Sequence, residues 1–360
     1  MAVIILNWNG VKLLREFLPS VVKNTNSDIA DVIVADNGSS DDSLQVLERE
    51  FPDVLVLPLD KNYGYAEGYN RAIKATHYEY TILLNSDVEV TPHWVEPMLE
   101  YCSTHRTVAA CQPKILAYSD KSQFEYAGAA GGFIDRMGYP YCRGRIFATV
   151  EHDRGQYDTD MGIFWASGAG LFVRTEVYLK AGGLDRLFFA HMEEIDLCWR
   201  LQLEGWRICV VPESLVWHVG GGTLPNDSPW KLKLNFRNNL LMLQNNLALT
   251  YSLEEIRELT PGKAASKAIR RAASTIRFRM LLDGMSALVY LLTGKKACFK
   301  AVWEAHREFR AMGRKPQEEQ VREYASTHRT IAIPALYPGW IVSESLLRGD
   351  GIFEHLRKRI

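Results

Sequence analysis

Closely spaced cysteine pairs are missing from this chain. The six cysteines, at 102, 111, 142, 198, 209 and 298, follow neither a disulfide-framework spacing nor a zinc-knuckle spacing. Cys198 falls in a helical pattern and Cys209 in an apolar strand-like one, so both are expected to be buried reduced thiols. Long apolar runs are missing too. The longest, Met280 to Thr293, is broken by Asp283 and falls short of the ~20 residues that cross a bilayer. No basic leader precedes the first apolar strand, and a cytosolic setting is expected. Net charge is only −1 over 360 residues, which removes any global argument for a nucleic-acid partner. No G-x-G-x-x-G follows the first strand, against a dinucleotide oxidoreductase. Nor does a glycine- and arginine-rich phosphate loop follow residues 3–6, against a sugar-phosphate nucleotidyltransferase.

What is present is an ordinary globular composition, 47% apolar and 24% charged, long enough for one large α/β domain with appendages or for two domains. Charge is unevenly spread. Residues 261–315 hold thirteen Lys or Arg against three acids, Asp283, Glu304 and Glu308. That surplus asks for a partner of negative charge near the C-terminal third.

Up to about residue 115 strands and helices alternate. Strands are expected at 2–7, 31–35, 54–57, 80–84 and 108–115, and helices at 10–25, 41–51, 65–77 and 92–104, with Ser40 or Asp41 capping the second. Alternation of this kind implies a mostly parallel sheet with helices on its faces. Residues 118–160, rich in Gly, Tyr and Arg, read as a long excursion. Regularity returns at 163–173, followed by helices at 175–181 and 192–204, a strand at 207–211 and a helix at 229–247 that contains Asn235-Phe236-Arg237-Asn238-Asn239. After Pro261 the pattern is mainly helical. The expected division is a domain over 1–247, with halves at 1–115 and 116–247, and a helical region over 248–360.

Four segments carry polar groups where apolar runs stop, or at a helix start. They are Val3 to Gly10, Val32 to Asp41, Leu83-Leu84-Asn85-Ser86-Asp87, and His191-Met192-Glu193-Glu194-Ile195-Asp196-Leu197. The first three have the form of buried parallel strands delivering functional groups at their carboxyl ends. In this order they resemble the nucleotide-sugar-dependent glycosyltransferases of family 2, with the GT-A fold. The resemblance covers roughly residues 2–245 and includes Lys61-Asn62-Tyr63-Gly64-Tyr65-Ala66-Glu67-Gly68-Tyr69-Asn70-Arg71, which matches the family's Asn-x-Gly-x-Ala-x-Gly-x-Asn stretch.

The resemblance assigns expected roles, making 1–247 a catalytic domain with a nucleotide-binding half (1–115) and an acceptor half (116–247). Asp36 would accept from a pyrimidine N3–H, although Asp-Asn-Gly-Ser is also a good turn former. Asn7, Asn9, Gly10, Asn37, Lys61, Asn62, Gly64, Gly68, Asn70, Asn85 and Ser86 would line the nucleotide. Asp87 would hold a divalent cation through the diphosphate, and His218 would complete its shell. One carboxylate with phosphate oxygens suits Mg²⁺ or Mn²⁺, and the imidazole tilts the choice to Mn²⁺. Asn85 stands where the family motif has its first aspartate. Glu194 would be the catalytic base, with Glu193 a rival. For both, the competing reading is a helix first turn that welcomes acids for dipole reasons. Asp196 and Arg200 are spaced for an i,i+4 pair, and Asp196 is also assigned to the donor–acceptor cleft. Trp165, Ser167 and Gly168 would line that cleft, and Gly220 through Ser228 would form a loop that closes over the donor.

The expected function is inverting transfer of a sugar from dTDP-rhamnose or a UDP-hexose to a hydroxyl of a glycan or lipid-linked glycan. The setting is bacterial cell-envelope polysaccharide synthesis, cytoplasmic or peripheral on the inner face of the plasma membrane. A nucleotide-sugar- or carbohydrate-binding protein without activity is the alternative. The basic segment 263–315, with its apolar stretch Met280–Leu292, reads either as interfacial helices on an anionic leaflet or as a solvated helical cap.

Overall fold

The structure is a computed structural model that describes residues 1–220, 228–333 and 335–358. The expected closing loop lies largely outside these, since residues 221–227 are not described. Two compact units form. One comprises Met1–Phe189, Trp206–Gly222 and Ala335–Ile360; the other comprises Ala190–Gly205 and Thr223–Pro334.

The first unit begins with the alternation expected from the sequence: β1 (Ala2–Asn7), α1 (Val11–Asn24), β2 (Asp31–Asp36), α2 (Ser43–Glu50), β3 (Leu55–Pro58), α3 (Gly64–Ala75) and β4 (Tyr80–Leu84). Short β5 (Val88–Val90), which the sequence pattern does not reveal, precedes α4 (Glu96–Thr104) and β6 (Val108–Ala117). β3, β2, β1 and β4 pair in parallel. β1, β2 and β4 stop at or just before polar residues, because the apolar run that buries a strand on both faces ends there, whereas β3 is an exposed edge strand that ends at Pro58. Asp41 ties two helix starts together, its carboxylate accepting from Val11 N (3.1 Å) and from Ser43 N (3.0 Å).

The excursion at 118–160 holds strands of its own, β7 (Gly132–Asp135), β8 (Pro140–Cys142), β9 (Arg145–Ile146) and β10 (Thr149–Val150), in a second small sheet. β11 (Met161–Ile163) and β12 (Gly170–Arg174) then return to the main sheet, and α5 (Thr175–Lys180) follows. β12 lies antiparallel between β4 and β6, so the main sheet is parallel through its N-terminal strands and mixed beyond them.

The second unit opens with α6 (Glu193–Leu203); the chain then crosses to β13 (Arg207–His218) in the first unit. β13 is longer than its apolar run of 207–211 suggests. It pairs parallel with β6 and antiparallel with β5 and β11. α7 (Pro229–Glu255), α8 (Pro261–Leu292), α9 (Lys296–Met312) and α10 (Glu318–Thr327) complete the helical unit. The expected division at residue 247 falls inside α7, whose buried residues run on through Leu247, Ala248, Tyr251 and Leu253. Helical packing therefore claims the whole of α7 together with α6. β14 (Leu336–Tyr337) returns to the first unit beside β7, and α11 (Ile341–Arg348) and α12 (Ile352–Arg357) end the chain there. All six cysteines are free, five of them buried. Among the described residues no helix is long and apolar enough to cross a membrane.

Candidate active site

In the first unit the ends of β1 and β2 form one hydrogen-bonded cluster. Asn7 Nδ2 donates to Asp36 Oδ1 (3.0 Å) and to Ser39 Oγ (3.2 Å), and Ser39 N donates to Asp36 Oδ2 (3.0 Å). Asp36 is 1% exposed, so its first task is to hold the Asp36–Ser39 turn. Each of its oxygens keeps one further acceptor position. Asn9 sits at φ 50 and caps the same turn, its Oδ1 accepting from Ser40 N (2.7 Å). A side chain at Gly10 would fall on Asn7 Oδ1, which is buried and has no hydrogen-bond partner.

The glycine-rich stretch packs against this cluster. Asn37 Nδ2 donates to Asn62 Oδ1 (3.1 Å), Asn37 Oδ1 accepts from Tyr63 N (3.0 Å), and Asn62 Oδ1 also accepts from Gly64 N (2.8 Å). Gly64 (φ 77) starts α3 where a Cβ would strike the Phe189 ring, and a Cβ at Gly68 would press on Leu6. Lys61 is exposed, its Nζ 5.2 Å from the Tyr63 ring centre. Asn70 does not belong with the nucleotide residues. Its Oδ1 accepts from Tyr178 Oη (2.6 Å) and Leu184 N (3.0 Å) while its Nδ2 donates to Leu184 O (2.7 Å), so its polar groups pin the Gly183–Leu184 turn.

The metal residues of the resemblance meet. Antiparallel pairing of β13 with β5 sets His218 against Val88, one residue from Asp87. His218 Nε2 then lies 3.1 Å from Asp87 Oδ1 and 3.3 Å from Asn85 Nδ2. Ser86, half-buried, sits between Asn85 and Asp87 just past β4. Glu125, a residue the sequence pattern does not single out, stands on the other side of the ring, its Oε1 3.5 Å from His218 Nδ1. Its second oxygen accepts from Ala127 N. Burial alone would lower the His218 pKa, but Asp87 and Glu125 outweigh burial and push it up to about 10. Among the described residues no three His, Cys, Asp or Glu side chains could hold a metal ion by themselves. Asp87 and His218 nonetheless fit a divalent cation as a partial donor set. An imidazole backed by a carboxylate is the usual arrangement around a bound metal, and diphosphate oxygens and water would complete the shell.

Trp165 and Ser167 depart from the expected cleft. Trp165 is buried over Gly132, its Nε1 donating to Phe133 O (2.9 Å), and it joins the small sheet to the main one. Ser167 is buried and bonds to Ala127 O and to Gln112 Oε1. Only Gly168 is half-open, with Tyr65 Oη donating to its carbonyl (2.8 Å). Small residues at these positions serve close packing rather than a ligand.

In the second unit α6 begins under backbone strain. His191 (φ 70) and Met192 (φ 73) both adopt the left-handed region that non-glycine residues rarely occupy. Asn238 of α7 holds this turn, Nδ2 donating to the carbonyls of Ala190 (2.8 Å) and His191 (2.7 Å). Its position within the Asn235–Asn239 stretch was the only signal for it. The turn delivers Glu193 and Glu194 as the first residues of α6. Oε2 of each is enclosed without a hydrogen-bond partner. Burial, and then the Glu194 charge, holds the Glu193 carboxyl well above the usual carboxylate range. Burial pushes Glu194 up to about 7, against backbone N–H groups at the helix start that favour its charge. Asp196 is fully buried and engaged, with Arg200 Nε at 2.8 Å, Asn245 Nδ2 at 3.0 Å and Asn246 Nδ2 at 2.9 Å. It anchors α6 to α7 and has no part in a cleft.

Mixed α/β architecture with polar clusters at the carboxyl ends of its strands is the arrangement in which open α/β sheets bind ligands, and the solved structures it is similar to have the GT-A fold. The family described as glycosyl transferase family 2 matches residues 2–162, under half of the chain, and the chain is similar to that family over this stretch. The N-acetylglucosaminyl-diphospho-decaprenol L-rhamnosyltransferase of Mycobacterium tuberculosis is 26% identical over 259 residues, 68% of this chain and 83% of that protein. The low-salt glycan biosynthesis hexosyltransferase Agl10 of Haloferax volcanii is 24% identical over 269 residues, 72% of this chain and 80% of that protein. Among solved structures, GalNAc-T7 with UDP, GalNAc and Mn²⁺ is similar in fold, with a TM-score of 0.52 and 17% identity over 71% of this chain. The chain spans 50% of that structure.

Proposed function

We propose that this protein transfers a sugar, with inversion, from dTDP-rhamnose or a UDP-hexose to a hydroxyl of a lipid-linked glycan in cell-surface polysaccharide synthesis. The observation that carries the reading is the meeting of Asp87 and His218 at 3.1 Å, with Asn85 beside them. The rhamnosyltransferase relative, named for a diphospho-decaprenol acceptor, supports rhamnose as the sugar transferred and a lipid-linked acceptor. The Mn²⁺ and UDP of the GalNAc-T7 structure support a divalent cation and a pyrimidine nucleotide. The cationic helical unit supports a peripheral position on the inner, anionic face of the plasma membrane.

Asp87 and His218 would hold Mn²⁺ or Mg²⁺, which when bound neutralises charge on the leaving diphosphate. The Asn7–Asp36–Ser39 and Asn37–Asn62–Gly64 clusters would fix the nucleotide at the strand ends, with Lys61 adding positive charge. Glu194, poised with its pKa about 7, would take the acceptor hydroxyl's proton as that oxygen attacks the anomeric carbon opposite the nucleotide. Glu193, held protonated beside it, would keep the pair from carrying two charges. Single displacement requires no nucleophilic Ser or Cys.

The test is thermal stability with UDP, dTDP, GDP and CDP, each with and without Mn²⁺. A Mn²⁺-dependent rise with one pyrimidine diphosphate, lost in Asp87→Asn, is the expected result. No rise with any nucleotide in the folded protein would reject the donor site.

A further inference from the structure

α8 wears its small and polar residues inside and its large apolar ones outside. Its buried face consists of Ala264, Ala265, Ala268, Ala272, Thr275, Ile276, Arg279, Asp283 and Ala287. Asp283, which breaks the apolar run in sequence, is spent there, paired with Arg279 at 2.9 Å and with His306 of α9 at 3.3 Å. The opposite face carries Phe278 (44% exposed), Leu281 (61%), Met285 (59%), Leu288 (52%), Val289 (58%) and Leu292 (78%). These recur at intervals of three and four along one side of the helix, a row about 21 Å long at 1.5 Å per residue. On α9, Trp303 is 66% exposed. From Leu281 to Leu292 this row is the apolar face of an amphipathic helix, every one of its side chains named here more than half exposed.

Charge decides what would cover it. Exposed Arg277 flanks one end of the row, and exposed Lys295, Lys296, Lys300 and Arg307 follow the other. Of these, Lys300 has a distant partner in Glu304, at 3.7 Å. A second copy of the chain would bring the same cations against them, because residues 261–315 carry thirteen cations and three acids. An anionic leaflet meets both requirements, taking the apolar row into the boundary between headgroups and acyl chains and the cations among its phosphates. Trp303 has the amphipathic ring that favours that boundary.

We propose that the second half of α8 and the first half of α9 form the membrane-docking surface of this protein, with Leu281, Met285, Leu288 and Leu292 inserting and Lys295 and Lys296 pairing with anionic lipid. The proposal rests on the peripheral position given above and names the residues that achieve it. No transmembrane helix is needed for it.

The test is flotation of the full chain with vesicles, without nucleotide, metal or acceptor. Vesicles of phosphatidylcholine alone are compared with vesicles containing phosphatidylglycerol. Binding is expected only to the latter, falling with added salt. Replacing one cation near a charged surface costs about fivefold, so Lys295→Gln with Lys296→Gln should weaken binding roughly thirtyfold. Leu288→Asp with Leu292→Asp, at exposed positions that leave the fold intact by circular dichroism, should abolish it. Trp303 fluorescence should shift to the blue on anionic vesicles. Equal recovery with both vesicle types, or unchanged recovery in the Leu288→Asp, Leu292→Asp variant, would overturn the proposal. A concentration-dependent dimer that this variant abolishes, in a chain that ignores vesicles, would assign the row to a second copy. Because the assay omits donor and acceptor, its failure leaves the transfer reading standing, and loss of the nucleotide response leaves vesicle binding standing.

Discussion

Replacing Glu194 by Gln should stabilise the protein at alkaline pH and not at acid pH. In the unfolded chain this carboxyl titrates at 4.5, and burial at the start of α6 pushes it up to about 7. Below pH 4.5 it is protonated in both states and costs nothing. As the pH rises, the unfolded chain ionises first, so stability falls until the folded group also ionises near 7, and the full cost persists above that. Integrated with ~1.4 kcal/mol per tenfold change in proton affinity, the cost is about 1 kcal/mol at pH 5 and about 3 kcal/mol at pH 8. Gln cannot ionise and escapes both. Any fixed cost of enclosing its amide applies equally at the two pH values and cancels in their difference. Chemical denaturation followed by tryptophan fluorescence should therefore show the Gln variant gaining about 2 kcal/mol or more relative to the parent on going from pH 5 to pH 8. A pH-independent difference would mean that Glu194 is ordinarily ionised and not poised as a base, and the argument from burial would fail.

The same variant should lose sugar transfer by several orders of magnitude while its response to nucleotide diphosphate and Mn²⁺ in thermal shift stays intact; loss of both would make Glu194 structural. In the parent, kcat/KM for the acceptor should drop about tenfold per pH unit below about pH 7, read from a rate profile at low acceptor concentration. Glu125→Gln should weaken Mn²⁺ binding about 10–100-fold by calorimetry in the presence of the nucleotide, because the side chain facing His218 Nδ1 fixes that ring. Asn70→Ala should lower stability by about 2–3 kcal/mol, since Tyr178 and the Leu184 backbone lose their partner, and leave nucleotide affinity unchanged.

The N-terminal half of the fold was legible because parallel strands covered on both faces are continuous apolar runs, and each run ends where a polar cluster begins. The small sheet at 132–150 was not. Its strands are two to four residues long, too short for a period, and they draw their burial from Trp165 over Gly132 and from Phe133 against Tyr141. The return of Leu336–Tyr337 to β7 depends on pairing across some two hundred residues, which no local pattern can announce. Nor could periodicity show that α7 belongs wholly with the helices, since a long apolar helix reads alike in either setting.

Among the site residues, those that the structure brings together are those whose position follows from strand register. Asp87 lies beside His218 because Val88 pairs with His218, and a polar residue just past a buried strand has few other places to go. Residues read from small size or motif membership fared differently. Ser167 and Trp165 occur in a glycine-rich stretch that suits a cleft, but the same smallness permits close packing, and their polar atoms are spent on Ala127, Gln112 and Phe133. Asp36 shows why the distinction is hard. The turn that makes Asp-Asn-Gly-Ser a good strand terminus also consumes one acceptor position on each carboxylate oxygen, leaving one on each. Structural and functional demands fall on the same side chain there. Glu125 is the opposite case. It sits in an irregular segment without a motif and acquires its place only when β13 carries His218 back past it, so its chemistry belongs to the fold and not to its neighbours in sequence.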